Sequence, residues 1–458
     1  SPLNAWILAP CIQQGWDVWM SAKVMNILVG AVVLIQVHHL FRRVALSPLT
    51  HHLLLATAAI GMAHHVYYQL FGDVWVIVYM LGFLQLCLSD RFHFQFWTAI
   101  SGALLIALGF YAKTYALPFL FLFSLVYAYQ AYRHGRSSIQ QLRKWLFSLG
   151  ILALLFISPW ILALHHKYGE WTLSGYASKL NMSWQINSGK SFRQDIHLLI
   201  PPPYADSPSF WEDPVFSQDK LSTPFSSLHH FIHWTVRILY TCLQSINCLN
   251  ELSACSLLLV CLSIGFIRKP PAQMTASLHD RLQTVSWFAL LLPLGYLMMH
   301  IETRYIWAMT FPLMITGAWY WETYKMYIPA AWRGLVIGLF ISSFIITPVI
   351  DIKNLRFKNK DLFEWGRQLK QHHIQGRLCG NANDAGRMWV TAYLSGSSFY
   401  TIERQDYTAS ELYQELTRYR IDYFLYCSEN NQPLLMLDTT HFHPVCHLQN
   451  MDVFSFRP

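Results

Sequence analysis

The chain predicts a polytopic α-helical membrane protein, with about ten spans, carrying a C-terminal soluble α/β domain. Composition is the first observation: 54% of residues are hydrophobic, 16% aromatic and only 13% charged, against about 25% charged in a soluble domain. The second is a series of long apolar stretches separated by short polar breaks. The third is that lysine and arginine gather in every second break, as positive-inside topology requires.

Ten stretches read as spans: 22–40, 53–69, 74–88, 96–110, 117–132, 146–164, 253–266, 285–299, 306–321 and 335–350. In hydrocarbon every backbone polar group must be satisfied within its own segment, so helices are the expected spanning form. The cationic breaks hold Arg42 and Arg43, Arg91, then Arg133, Arg136, Arg143 and Lys144, then Arg268, Lys269 and Arg281, and finally Lys325 and Arg333. The positive-inside rule places these in the cytoplasm. It puts 71–73, 111–114, 165–227, 300–304 and the C-terminal tail on the outer face. The chain opens Ser1–Pro2 without a methionine, and the span parity leads us to expect a further helix and outer loop upstream.

Two parts are not read as spans. Loop 165–227 carries Lys179, Lys190, Arg193, Asp195, three consecutive prolines at 201–203, Tyr204, the acids Glu212, Asp213 and Asp219, and Trp171, Trp184 and Trp211. Stretch 228–249 interleaves His229, His230, His233 and Arg237 with apolar residues, the pattern of an interfacial amphipathic helix. Both are assigned to a membrane domain, 1–350. Residues 351–458 have the composition of a separate domain on the outer face, with helices expected over 362–373, 385–394 and 410–420. Strands are expected over 376–380, 399–403, 422–426, 443–448 and 452–456. The nine cysteines show no metal-ligand spacing, and most read as small apolar residues. In an oxidising compartment Cys427 and Cys446 form the expected pair. The +8 net charge is mostly accounted for by the cytoplasmic breaks, which disfavours nucleic acid as a partner.

Charge near a bilayer interior is costly and marks function. Asp73 in FGDVWV, Lys113 in GFYAKTYALP, and Glu302 and Arg304 in HIETRYIW stand out, with His300 and Tyr305 in the last motif. His64 and His65 precede the Asp73 loop as further candidate substrate contacts; most of the 21 histidines read as interfacial anchors. Ordinary structural roles compete throughout: a helix N-terminal acid for Asp73, a snorkelling lysine for Lys113, a structural ion pair for Glu302 and Arg304. Together, cations and a carboxylate at one depth suit a lipid-linked phosphosugar. The cations stabilise the departing phosphate and a carboxylate accepts the proton of an attacking hydroxyl.

The segments SAKVMNILVGAVVL, GALLIALGFYAKTYALPFL, SPWILALHHKYGEW and HIETRYIWAMTFPL resemble the membrane glycosyltransferases of the GT-C superfamily. Within it the chain is most similar to the bacterial protein O-mannosyltransferase-like and aminoarabinose-lipid A transferase-like proteins. The resemblance implies an enzyme of the bacterial inner membrane, its C-terminal domain outside the cytoplasm. It would transfer a sugar, with inversion, from a polyprenyl-phosphate donor to a lipid, glycan or protein acceptor. It further implies that Asp73 and Glu302 are catalytic and that Lys113, Arg304 and Tyr305 bind the donor phosphate: Lys113 matches the lysine of an L-T-K turn, and Glu302, Arg304 and Tyr305 match an E-x-R-Y turn. The family's principal acid lies in an outer loop upstream of SPLNAW, and Asp17 does not match it. A transporter or flippase of lipid-linked sugars, or a non-catalytic membrane scaffold, is the competing expectation. Neither cofactor nor metal is implied with certainty.

Overall fold

The computed structural model describes residues 2–44, 46–68, 72–89, 94–186, 198–215, 221–268, 274–355, 360–380, 385–402, 407–427, 441–448 and 451–457. Arg91, Lys190, Arg193, Asp195, Asp219 and Lys269, named above, lie outside these residues, as do the last residue of the expected strand 399–403 and the side chains of Trp184 and Cys427. The chain divides into two compact units, one of 1–173 and 235–356, the other of 174–234 and 357–458.

The first unit is helical, and its termini are written into the sequence. Asp17 accepts a hydrogen bond from the Met20 amide at 2.8 Å and so starts the helix Val18–Arg42, satisfying a donor that a helix end would leave orphaned. Ser138 does the same for Ile139–Tyr168. That helix stops at Gly169, whose φ of 73° is a left-handed cap that residues with a Cβ avoid. Between the helices, Phe119 and Phe123 pack edge-on against Phe288, with ring centroids 5.0 and 5.4 Å away.

The expectation of about ten spans is overturned. Among the described residues, three helices are long and apolar enough to cross a membrane: Val18–Arg42, Ile139–Tyr168 and Ala330–Asn354. A fourth is reached only if Leu228–Leu252 and Ser256–Arg268, bent by 103° at their junction, count as one. The other stretches fail on length or polarity. Asp73–Cys87 has 15 residues and Phe96–Ala112 has 17; at about 1.5 Å per residue both fall short of a hydrocarbon core about 30 Å thick. Stretch 285–299 is cut where Ala276–Leu291 ends and Pro293 caps the single turn Leu294–Leu297. Stretch 306–321 opens as the tighter 3-10 helix Thr303–Met309 before Thr310–Tyr324 begins. Pro48–Tyr68 has the length, but its four histidines dilute its apolar character.

The second unit is a mixed six-stranded sheet with strands β1 (Leu199–Ile200), β2 (Arg377–Gly380), β3 (Ser398–Ile402), β4 (Tyr423–Cys427), β5 (Phe442–Leu448) and β6 (Met451–Phe456). Their order is β1-β3-β2-β4-β6-β5, parallel from β3 through β2 to β4 and antiparallel elsewhere. The helices Lys360–Gln371, Ala385–Ser395 and Ala409–Arg418 join them. One face buries Trp365, Leu378, Phe399 and Leu425, the other Cys379, Leu412, Leu416 and Phe424, the alternation that a strand's two-residue period produces.

Two assignments change here. From Ser174 onward the middle loop groups with the sheet unit and not with the helical one: β1 pairs antiparallel with β3, and the Phe399 amide donates to the Pro208 carbonyl at 2.8 Å. A Cys427–Cys446 disulfide is ruled out by register. Both Cys427 and Leu448 pair with Met451, so β6 separates their strands. Two inter-strand spacings are about 9–10 Å, beyond disulfide reach, and Cys446 is a free thiol.

Candidate functional site

Three chain reversals in the helical unit bring the charged candidates together. Asp73 is the first residue of Asp73–Cys87 and is only 5% exposed. Lys113 closes Phe96–Ala112 with an extended backbone, its amide donating to the Gly109 carbonyl at 2.7 Å. Its ammonium binds Asp73 Oδ1. Asp73 is therefore more than a helix N-terminal acid: Arg304 Nη1 also lies 3.9 Å from its other oxygen, Oδ2.

The HIETRYIW segment supplies the rest. Glu302 caps the 3-10 helix with extended backbone, and the Tyr305 amide turns back to the Glu302 carbonyl at 2.9 Å. The tight turn sets Glu302 and Arg304 side by side, with Arg304 Nε 2.6 Å from Glu302 Oε2. His300 Nε2 lies 3.1 Å from Glu302 Oε1, and the Tyr305 hydroxyl donates to the same oxygen at 3.3 Å. Arg237 stands behind, 3.4 Å from His300 Nδ1. Burial pushes the Glu302 carboxyl up, but the His300 hydrogen bond and the Arg304 guanidinium outweigh it and hold the group to about 2. Burial draws the Lys113 ammonium below its ordinary range, against the opposing pull of Asp73.

An aromatic platform supports the cations. Lys113 Nζ sits 3.8 Å from the centre of the Tyr305 ring, which stacks on Tyr296 at 4.8 Å; a ring face attracts a cation electrostatically. Tyr115 packs on Tyr296 at 3.8 Å and receives the Gly295 amide on its hydroxyl at 3.2 Å. A Cβ at Gly295 would overlap the Tyr115 ring, so the close approach demands glycine.

Beside this network lies a cavity of about 280 Å³. The network reaches it only through Glu302, Thr303 and Arg304; Asp73, Lys113, His300 and Tyr305 stand back from it. His64 and His65 form part of its wall, with His65 stacked on Trp307 at 3.8 Å. Asp351 and Glu251 face the same space. His64 Nε2 lies 3.2 Å from Asp351 Oδ2, at an angle that leaves the ring nitrogens without a well-formed hydrogen bond.

Six of the eight residues singled out from the sequence thus form one contact network, and the histidine pair flanks its cavity-facing edge. Sequence reasoning missed Asp351, Glu251, Trp307 and the Tyr296 platform. Asp351 carried the same signal that exposed the others, a lone acid in the apolar run ITPVIDI, but was read as the start of the outer domain. Among the described residues, no three His, Cys, Asp or Glu side chains come together as a metal-ligand set. Compared with known proteins, the chain matches no family model and no curated sequence.

Proposed function

We propose that this protein is a membrane-associated glycosyltransferase that moves a sugar, with inversion, from a polyprenyl-phosphate donor to a hydroxyl acceptor at the outer surface of the bacterial inner membrane. One observation carries the reading. Lys113 and Arg304, from separate connections, converge on the buried carboxylate of Asp73, and Arg304 opens into a cavity large enough for a sugar ring. A preorganised pair of cations is what a departing phosphate needs, because charge develops on its oxygens as the glycosidic bond breaks. No strong general acid is then required. Asp73 and Glu302 hold these cations in place; at about 2, Glu302 is too weak a base to take a proton from a hydroxyl.

The outer faces of the long helices support membrane association. Met20, Val24, Ile27, Leu28 and Ile35 on one, and Leu335, Leu339, Ile346, Val349 and Ile350 on another, are exposed. Apolar surface this extensive needs a non-aqueous partner.

The test is transfer or hydrolysis of sugar from a polyprenyl-phosphate donor by the protein in lipid vesicles, beside Arg304→Ala and Lys113→Ala. Each variant should fall by roughly 10²–10³-fold, the scale of losing one preorganised donor. Donor binding without turnover in the unaltered protein would replace this reading with a lipid-linked sugar transporter.

A further inference from the structure

The cavity has a wall that the phosphate chemistry leaves unused. Three carboxylates, those of Glu251, Glu302 and Asp351, face it against the single guanidinium of Arg304. Glu302 is neutralised by Arg304 and His300, and Glu251 accepts the Thr303 hydroxyl. Asp351 keeps an open approach: its side chain is 38% exposed and, among the described residues, its only short contact is His64. His64 and His65 are 7% and 5% exposed, and all four of their ring nitrogens are enclosed without a hydrogen-bond partner.

We infer that this cavity is the acceptor subsite, that it takes a neutral or cationic hydroxyl compound, and that Asp351 is the general base, with His64 as the residue that positions it. The inference rests on the transferase reading above and deepens it. Glu251 and Asp351, carboxylates with no cation beside them among the described residues of this wall, disfavour an acceptor that adds a second phosphate to the donor's, whereas the hydroxyls of a neutral or cationic acceptor find hydrogen-bond acceptors in both. In the step, the acceptor O–H bond breaks and its proton goes to a carboxylate oxygen of Asp351. The hydroxyl oxygen forms a bond to the anomeric carbon while the anomeric carbon–phosphate oxygen bond breaks. The electron pair of that bond leaves on the polyprenyl phosphate, beside Arg304. His64, with Nε2 3.2 Å from Oδ2, holds that carboxylate in place at the cavity.

The experiment uses the full chain in vesicles with a polyprenyl-phosphate sugar donor and a neutral glycoside acceptor, scoring donor binding and transfer separately. Asp351→Asn should bind donor normally, which also reports folding, and lose roughly 10²-fold or more in transfer, the usual contribution of a positioned base. His64→Phe should bind donor normally and lower kcat for transfer with little change in the acceptor KM, and His64→Gln, which can still donate toward Oδ2, should restore part of the rate. Full transfer by Asp351→Asn, or an unchanged kcat in His64→Phe, would overturn the inference and leave the transferase standing. Absence of transfer in the unaltered protein would overturn both.

Discussion

Replacing Asp73 by asparagine is the sharpest structural test of the charged network. The carboxylate is 6% exposed and holds Lys113 directly, with Arg304 at 3.9 Å. Removing one partner of a buried pair costs about 3–5 kcal/mol, because the remaining charge stays desolvated. Arg304 keeps Glu302 and is 27% exposed, so nearly all the loss falls on Lys113, and we expect the lower end, about 3 kcal/mol. At about 2–4 °C per kcal/mol, the thermal midpoint in detergent should fall by roughly 6–12 °C. Lys113→Met should be destabilising too, by about 2 kcal/mol, since Asp73 keeps only the distant guanidinium. The double variant Asp73→Asn/Lys113→Met leaves neither charge stranded. Its loss should therefore be smaller than the sum of the singles, with a coupling of about 0.5–3 kcal/mol. A double variant equal to that sum would refute the pairing as the source of stability.

Three more outcomes follow from the same contacts. Glu302 has a depressed folded-state pKa of about 2, so its contribution to stability is fully present above its ordinary value of 4.5 and is lost as pH falls toward 2. Thermal midpoints of the unaltered protein and Glu302→Gln should therefore converge across that window; parallel curves would contradict the His300–Glu302–Arg304 arrangement. Gly295→Ala should cost about 1–3 kcal/mol by overpacking against Tyr115, lowering the thermal midpoint, and an unchanged midpoint would mean that the tyrosine stack has room to spare. A fragment of residues 357–458 alone should aggregate more readily than the same fragment fused to 198–215, read by size-exclusion chromatography. Without β1 the edge of β3 is unpaired, and an open edge is a template for association.

Much of the second unit was legible because its signals are local. The capping box of Thr408 and Glu411 and the alternating strands need no knowledge of distant residues. What was not local was lost: the two-residue strand β1 has too little sequence for any periodicity to show, and it exists only because β3 offers an edge. The first unit misled in a different way. Hydropathy counts apolar residues, but helix length decides whether a membrane is crossed, and length is set by breaks such as Pro293 and the 3-10 turn after Glu302. Those same breaks made the charged site readable, since a lysine, an arginine and two acids in or beside apolar helix ends are conspicuous. Asp351 escaped because the helix Ala330–Leu355 runs past the point where composition changes.

The discontinuity of the sheet unit constrains how the protein is made. Its first segment ends at Trp234, and the whole of Thr235–Arg356 is synthesised before the remainder begins at Phe357. Strand β1 must therefore wait, through the production of several helices of the other unit, for the edge it will join. That separation makes sheet completion a late, long-range closure, and such contacts are slow to form.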